Sequence, residues 1–504
     1  MSLFISLPFL CLACIVLLYN RLYSRYESGR NNKPRQIPYI FPGVGHGLSF
    51  FLDSHHFLTS CKRYLSGREP FELKLGSQRT YILTDPKDVA SMFKASSTMT
   101  FDRFGHDLLV MFGCSAEGNR KIWAKDPTTL PGFKKATWNP KALALGPLSL
   151  DLFAQQFLPG PKLGKYVKIT VECIRDDFQK WMPRKGEPFM LQKWCAVNIN
   201  KALTASLLGR VMDDVNPQLL DTFLQFNQTG WKLIFGYPKW LASHTYRSRD
   251  VILNTMEAFI KLPKIQRHEQ SYMINCVEED ARNIGIGDRD IAAMVSMIFW
   301  GVTSNAYKIC YWMLTEILFD QELYEAARDE ARQICKLEMS EKQLASITTT
   351  CPHLNALWNE CLRLGSASAS TRYVDHDTMI GNSMLLQNSV AMAPYSQMHQ
   401  NPDYFGANAD EFDHRRFLKD SSLDKQPAFK PWGGGTTHCP GRHVAKLEVF
   451  LFVALALTES DLKVAQVDEK GRPLLQRKPK FDMNSPCMGV RNPIDNQDIL
   501  VIAS

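Results

Sequence analysis

The stretch Pro431-Trp432-Gly433-Gly434-Gly435-Thr436-Thr437-His438-Cys439-Pro440-Gly441-Arg442-His443-Val444-Ala445 gathers residue types that can do chemistry. Its glycine run lets the backbone come very close to something flat. Cys439 stands just ahead of Lys446-Leu447-Glu448-Val449-Phe450-Leu451-Phe452, a helix pattern. The positive end of a helix dipole favours thiolate over thiol. Loop N–H groups can donate to such a sulfur and tune it. Pro440 and Gly441 leave room for a sharp turn between sulfur and helix. A lone cysteine is more often a small buried hydrophobe. A nucleophilic cysteine needs a positioned base, and His438 and His443 are nearby in sequence. The glycine loop and the following helix together favour a thiolate ligand.

These residues resemble the haem-binding loop of the cytochromes P450, aromatic-Gly-x-Gly-x-x-x-Cys-x-Gly, here Trp432, Gly433, Gly435, Cys439 and Gly441. The resemblance implies haem b with Cys439 as the axial iron ligand, a thiolate whose electron donation favours O–O cleavage. It makes Trp432, Gly433, Gly435, His438 and Gly441 candidate cofactor contacts. The family often pairs a haem propionate with an arginine on the strand after its Glu-x-x-Arg helix. Arg372, in Thr371-Arg372-Tyr373-Val374, is the candidate. Two residues before the cysteine the family often has Arg or His, and Thr437 stands there. Arg372, His438 or a further residue must then serve the propionates.

Glu360 and Arg363, on a helix expected from about His353, are three apart and share a face. Such a pair is common on surfaces and contributes little there. The resemblance implies a buried pair instead, locked to a second arginine. Arg416 in Phe412-Asp413-His414-Arg415-Arg416-Phe417 takes that place, with His414 where the family usually has proline. A buried, mutually hydrogen-bonded set would hold the scaffold around the cofactor in register. These roles are structural.

The segment from Asp288 to Phe319 is apolar all round the helical wheel, which predicts one buried helix of roughly 48 Å at 1.5 Å per residue. Ser304, Asn305 and Lys308 in its middle make a membrane span expensive. The family usually has an acid followed by threonine here, groups that deliver protons during dioxygen cleavage. Ser304 aligns with the acid and Asn305 with the threonine, and they are the candidate catalytic pair. Ser and Asn can hold a water, but neither is a carboxylic acid. Trp300-Gly301 followed by Asn305, with Trp432 and His438, resembles the branch with prostacyclin synthase and the steroid 7α-, 8α- and 12α-type hydroxylases, fungal members above all. Val302, Ala306, Ser370 and Met488 are the candidate pocket residues, with Cys487-Met488-Gly489-Val490 as a loop that closes the pocket.

The elements that must position these residues read as mainly α with small β-sheets, an α+β chain with the cytochrome P450 fold and an N-terminal transmembrane helix. Phe71–Leu75 alternates, Gly76-Ser77 turns, Thr80–Leu83 is β-like, and Pro86 opens a helix. Strand signals return from Met379 to Pro394. Leu3 to Tyr19 is an apolar run, followed by Arg21, Arg25, Arg30, Lys33 and Arg35 against Glu27. That asymmetry keeps the following chain on the cytosolic side. The expected organisation is a membrane anchor over 1–20, a basic, proline-rich linker over 21–42 and a catalytic domain over 43–504. The 13 cysteines are scattered, with no ladder of short spacings through the chain, which argues against a disulfide framework and a zinc site. The net charge of +8 forms no nucleic-acid stripe.

The resemblance implies a monooxygenase that oxidises a lipophilic terpenoid or steroid-like secondary metabolite with O2. Electrons would come from an NADPH–cytochrome P450 reductase, with cytochrome b5 as a second donor. Its place would be the endoplasmic reticulum membrane, as a single-pass protein. The alternative is a reductase-independent haem-thiolate isomerase or dehydratase acting on a peroxide or related lipid.

Overall fold

The computed structural model describes residues 18, 32–41, 43–336, 350–467, 472 and 474–503. The expected anchor, apart from Leu18, and the linker up to residue 31 lie outside the described residues. Among the described residues no helix is long and apolar enough to cross a membrane.

A six-stranded sheet is built from β1 (Arg35–Gln36), β2 (Phe71–Leu75), β3 (Gln78–Ile82), β4 (Met99–Thr100), β5 (Ala369–Val374) and β6 (Ser389–Pro394), in the order β1-β2-β3-β6-β5-β4. The Gly76-Ser77 turn joins β2 to β3 with Leu73 opposite Thr80. Strand β6 runs parallel to β3 and antiparallel to β5, where Arg372 faces Ala391. A chain segment from the far C-terminal half thus completes an N-terminal hairpin. Helix α1 (Pro86–Lys94) starts as its residue types dictate. Pro86 occupies its first turn, and the Asp85 side chain accepts from Lys87 N–H at 2.7 Å.

The rest is mainly helical. The apolar central segment forms α2 (Asp288–Thr303) and α3 (Ala306–Leu318), not one continuous rod. Ser304 and Asn305 fall between them, and Asn305 leaves helical geometry at φ −122°. Both side chains compete for local backbone and neighbouring groups, which makes them poor interior helix residues. α4 (Pro352–Gly365) carries Glu360 and Arg363, and α5 (Arg442–Thr458) follows Cys439. α3 and α5 lie in the largest apolar core, with Trp312, Met313, Phe450 and Phe452 fully buried. Burial on all sides explains why α3 and α5 carry almost no polar face.

Candidate active site

The cysteine loop is positioned from three directions. Cys439 N–H donates to Trp432 O at 2.9 Å, which closes the loop on itself. Lys430 N–H donates to His399 Nε2 at 2.9 Å, which ties its entry to the segment after β6. Arg442, the first residue of α5, donates from Nη1 to Cys439 O at 2.9 Å. Gly434 lies against the Phe93 ring of α1, where a Cβ would come within 2.5 Å of Cε2. Glycine is needed there because the loop presses flat onto the ring. Burial pushes the Cys439 thiol up, while the N–H groups of Gly441 and Arg442 and the Arg442 charge pull it down. The protein thus supplies donors to the sulfur but not enough positive charge to ionise it alone; a bound cation would complete the site.

Cys439 opens on a cavity of about 270 Å³, walled by Asn305 at the break before α3, Ala306 and Ile309 of α3, Trp358 of α4 and Val449 of α5. Arg372 is the only cation on its wall among the described residues. That side chain is 4% exposed. It donates to Thr437 Oγ1 at 2.6 Å and to Thr371 O at 2.8 Å, and it faces the rings of Phe93 and Phe101 at 5.6 and 5.4 Å. No carboxylate of the described residues pairs with it, and burial lowers its pKa. A guanidinium buried without an anion is costly, so this wall is built to receive one. Tyr395 Oη and Ser370 Oγ are hydrogen-bonded to each other on the same wall.

A thiol, a flat glycine-lined approach and an unpaired buried cation facing one cavity are the donor set for a planar, anionic metallocofactor. Residues 150–485 match the cytochrome P450 family model. The chain belongs to the cytochrome P450 family. It is similar to "Cytochrome P450 monooxygenase poxD" of Penicillium oxalicum, at 25% identity over 87% of this chain and 89% of the relative. It is equally similar to "5-beta-cholestane-3-alpha,7-alpha-diol 12-alpha-hydroxylase" of Sus scrofa, at 25% identity over 92% and 93%. Its fold matches the retinoic acid-bound cyanobacterial CYP120A1 with a TM-score of 0.68 at 18% identity, covering 94% of this chain and 99% of the other. As a member of the P450 monooxygenase family the chain is an oxidoreductase that incorporates oxygen. The family's cofactor is haem on a cysteine thiolate, and the residues around Cys439 fit it.

The P450 scaffold under this site is held by buried charge. Glu360 and Arg363 are wholly inaccessible and form a two-pronged pair, Nη2 to Oε1 at 2.7 Å and Nε to Oε2 at 2.8 Å. Arg363 spends its other N–H groups on the carbonyls of His399, Ala409 and Glu411. Arg416 is buried beside Glu360 as an ion pair, though not hydrogen-bonded to it. Its Nε lies 3.7 Å from Glu360 Oε2 with no hydrogen bond, and its guanidinium donates to Phe405 O and to Asn408. The set is buried, but only two of its three members are hydrogen-bonded to each other. Asp413 N–H donates to Glu360 Oε1 at 2.8 Å, occupying the carboxylate edge that faces this strand of chain.

The structure brings Cys439, Arg372, Trp432, Gly433, Asn305, Ala306 and Ser370 to one cavity wall. Ser304, Val302, Met488, Gly435, His438 and Gly441 are not on that wall. His438 lines a groove on the far side of the loop with Pro440 and Arg442. Gly435 packs on Phe93, and Gly441 is the turn into α5. Val302 lies between the two large cores and Ser304 is buried, its carbonyl accepting from Asn227 Nδ2 at 3.1 Å. Sequence reasoning missed Phe93, Tyr395 and Trp358. Trp358 stacks on Trp432 with centroids 5.9 Å apart. It lies only two residues before Glu360, so the Glu-x-x-Arg helix carried a signal that could have found it. Nothing local marks Phe93 or Tyr395.

Proposed function

We propose that this P450 is a monooxygenase of a lipophilic small molecule, of terpenoid or steroid-like class. The observation that carries the reading is the Cys439 thiol opening on the same cavity as the unpaired Arg372. The names of the relatives support the substrate class, since one is a fungal monooxygenase and another hydroxylates a cholestane. Arg372 would hold a propionate, with Thr437 fixing its orientation and the Tyr395–Ser370 pair as further donors. The Gly441 and Arg442 amides would stabilise the sulfur anion. Haem bound here supplies dioxygen activation driven by the thiolate.

The chain's own residues then exclude water and hold protons. Ala306, Ile309 and Val449 keep the wall apolar. The Asn305 carboxamide has one N–H left after its bond to Ser304 Oγ, which can hold a water on the cavity side. Electrons would come from an NADPH–cytochrome P450 reductase, with cytochrome b5 as a second donor, docking on the loop side where Arg442, His443 and Lys446 border a groove. A membrane anchor over 1–20, a linker over 21–42 and a catalytic domain over 43–504 suit a single-pass protein of the endoplasmic reticulum with its site in the cytosol.

A second reading is favoured by one observation: no carboxylic acid is on the cavity wall among the described residues. A haem-thiolate isomerase or dehydratase acting on a peroxide needs no reductase and no acid for oxygen cleavage. The carbon monoxide difference spectrum of reduced protein tests the first claim; the thiolate-ligated band should be present and vanish in Cys439→Ala. A wild-type spectrum without that band defeats the reading. Turnover that stops when NADPH and reductase are withheld selects the monooxygenase.

A further inference from the structure

Both backbone groups of Val490 are held at the start of α3, by the capping Asn305 and by Lys308. Its N–H donates to Asn305 Oδ1 at 2.8 Å, and its carbonyl accepts from Lys308 Nζ at 3.0 Å. Trp312 Nε1 donates to the next carbonyl, that of Arg491, at 2.9 Å. Asn305 caps the start of α3, and Lys308 and Trp312 follow it three and seven residues on, along the same side of the helix. The same segment is pinned on its other side to the exit of α4. Ala367 N–H donates to Gly489 O at 2.7 Å, and Arg491 N–H to Gly365 O at 2.8 Å. Gly489 has φ +102°, and a Cβ there would overlap the Asn305 carboxamide. Only glycine meets both demands. Lys308 is 2% exposed, and its hydrogen bond among the described residues is the one to Val490 O. An ammonium is buried here for the sake of one carbonyl, a charge-assisted bond that resists displacement.

Asn305, Gly489 and Val490 all lie on the cavity wall. Asn305 is committed at both ends, since Nδ2 donates to Ser304 Oγ at 2.9 Å while Oδ1 holds Val490. We propose that Asn305, Lys308 and Trp312 form a clamp that fixes residues 489–491 as a wall of the cavity, and that Asn305 is a positioning residue that sets which ligand shapes the cavity admits. The proposal rests on the reading of this cavity as the haem and substrate chamber.

The test uses purified holoprotein with Asn305→Leu, close in shape but unable to accept, and Asn305→Asp, which keeps an acceptor for Val490 N–H. In hydrogen–deuterium exchange, the peptide covering 487–491 should exchange about ten-fold faster in Asn305→Leu, and within about two-fold of wild type in Asn305→Asp. Soret titrations with imidazole and 4-phenylimidazole read the wall's effect. The ratio of their dissociation constants should shift about ten-fold in Asn305→Leu and be restored in Asn305→Asp. If Asn305→Leu yields no folded protein, Lys308→Met carries the same exchange test through the Val490 carbonyl. Unchanged exchange in the folded variant overturns the clamp. Faster exchange with an unchanged ratio overturns the role in selectivity. A wild type with no Soret response to either azole overturns the haem reading instead, and the exchange result still decides the clamp.

Discussion

Acidification should unlatch the cysteine loop from its scaffold through one buried imidazole. His399 has no exposed surface. Its Nδ1 lies 2.9 Å from Arg363 O, and its Nε2 lies 2.9 Å from Lys430 N. A carbonyl only accepts and an amide N–H only donates, so the ring is neutral with its proton on Nδ1. Burial first, then the charges of Arg363 and Arg491, lower its pKa from 6.5 to about 3, against the opposing bond to Arg363 O. A second ring proton would face the Lys430 N–H and break the tie to the loop. The unfolded chain takes up this proton near pH 6.5, and the folded chain does not until about pH 3. Stability is therefore whole above pH 6.5 and is lost progressively as pH falls towards 3. At about 1.4 kcal/mol per unit, roughly 2 kcal/mol is gone at pH 5 and about 3 kcal/mol at pH 4. His55, also pushed down to about 4 by burial, adds its own share, so a variant must isolate the effect. His399→Gln has no titrating ring. Urea unfolding midpoints at pH 7 and pH 5 give the comparison. The wild type should lose about 2 kcal/mol more than His399→Gln over that interval. Equal losses would refute the assignment of a neutral, doubly bonded ring.

Three further outcomes follow from the same contacts. Arg363→Met strands the Glu360 carboxylate and three carbonyls in a dry interior; a loss of about 3–5 kcal/mol, a large part of a folded protein's stability, should abolish holoprotein, measured as haem per chain. Arg372→Met removes the only cation on the described cavity wall and should speed haem transfer to apomyoglobin by about ten-fold or more, while the apoprotein unfolds at or above the wild-type midpoint. Gly434→Ala pushes a methyl into Phe93, which must retreat by about 1 Å; a cost of about 1–3 kcal/mol should appear as a lower Tm of the holoprotein.

The parts of this molecule that were legible from sequence are those whose physics is local. The glycine run and the helix after Cys439 announce a ligand loop because each depends on neighbours a few residues away. Glu360 and Arg363 share a face by spacing alone, and the Gly76-Ser77 hairpin stands where alternation put it. The break in the central helix was not legible. The apolar wheel of 288–319 sees only side-chain burial, whereas the partner that fixes Asn305 out of the helix is a backbone N–H 185 residues later. Arg372 was found on family grounds, yet its rings and its hydroxyl partner come from residues 93, 101 and 437. Val302, expected in the pocket on the apolar central helix, packs instead between the two large cores, and of the expected closing loop Gly489 and Val490 rather than Met488 line the cavity. Arg416 joins Glu360 as a buried ion pair but not as a hydrogen-bond partner, since Phe405 and Asn408 take its N–H groups.

The two sides of the cavity are built by opposite rules, and this decides where the chemistry can vary. On the cysteine side the backbone is heavily committed: Trp432 O, Cys439 N–H, Cys439 O and Lys430 N–H all have partners. Such a loop tolerates little change without losing the cofactor. On the α3 side the break between α2 and α3 exposes a polar edge whose two side chains are spent on the chain, Asn305 on Val490 and the Ser304 hydroxyl on Asn305. Among the described residues no acid stands behind them on the wall. The proton-bearing groups on that wall are then hydroxyls, Ser370 and Tyr395 among them, and the Asn305 carboxamide, all weaker acids than a carboxylic acid. A site of this kind favours a ligand that orders its own water or brings its own hydroxyl. The stretch from Ser304 to Asn305 is thus the polar edge of the apolar wall that Ala306 and Ile309 form.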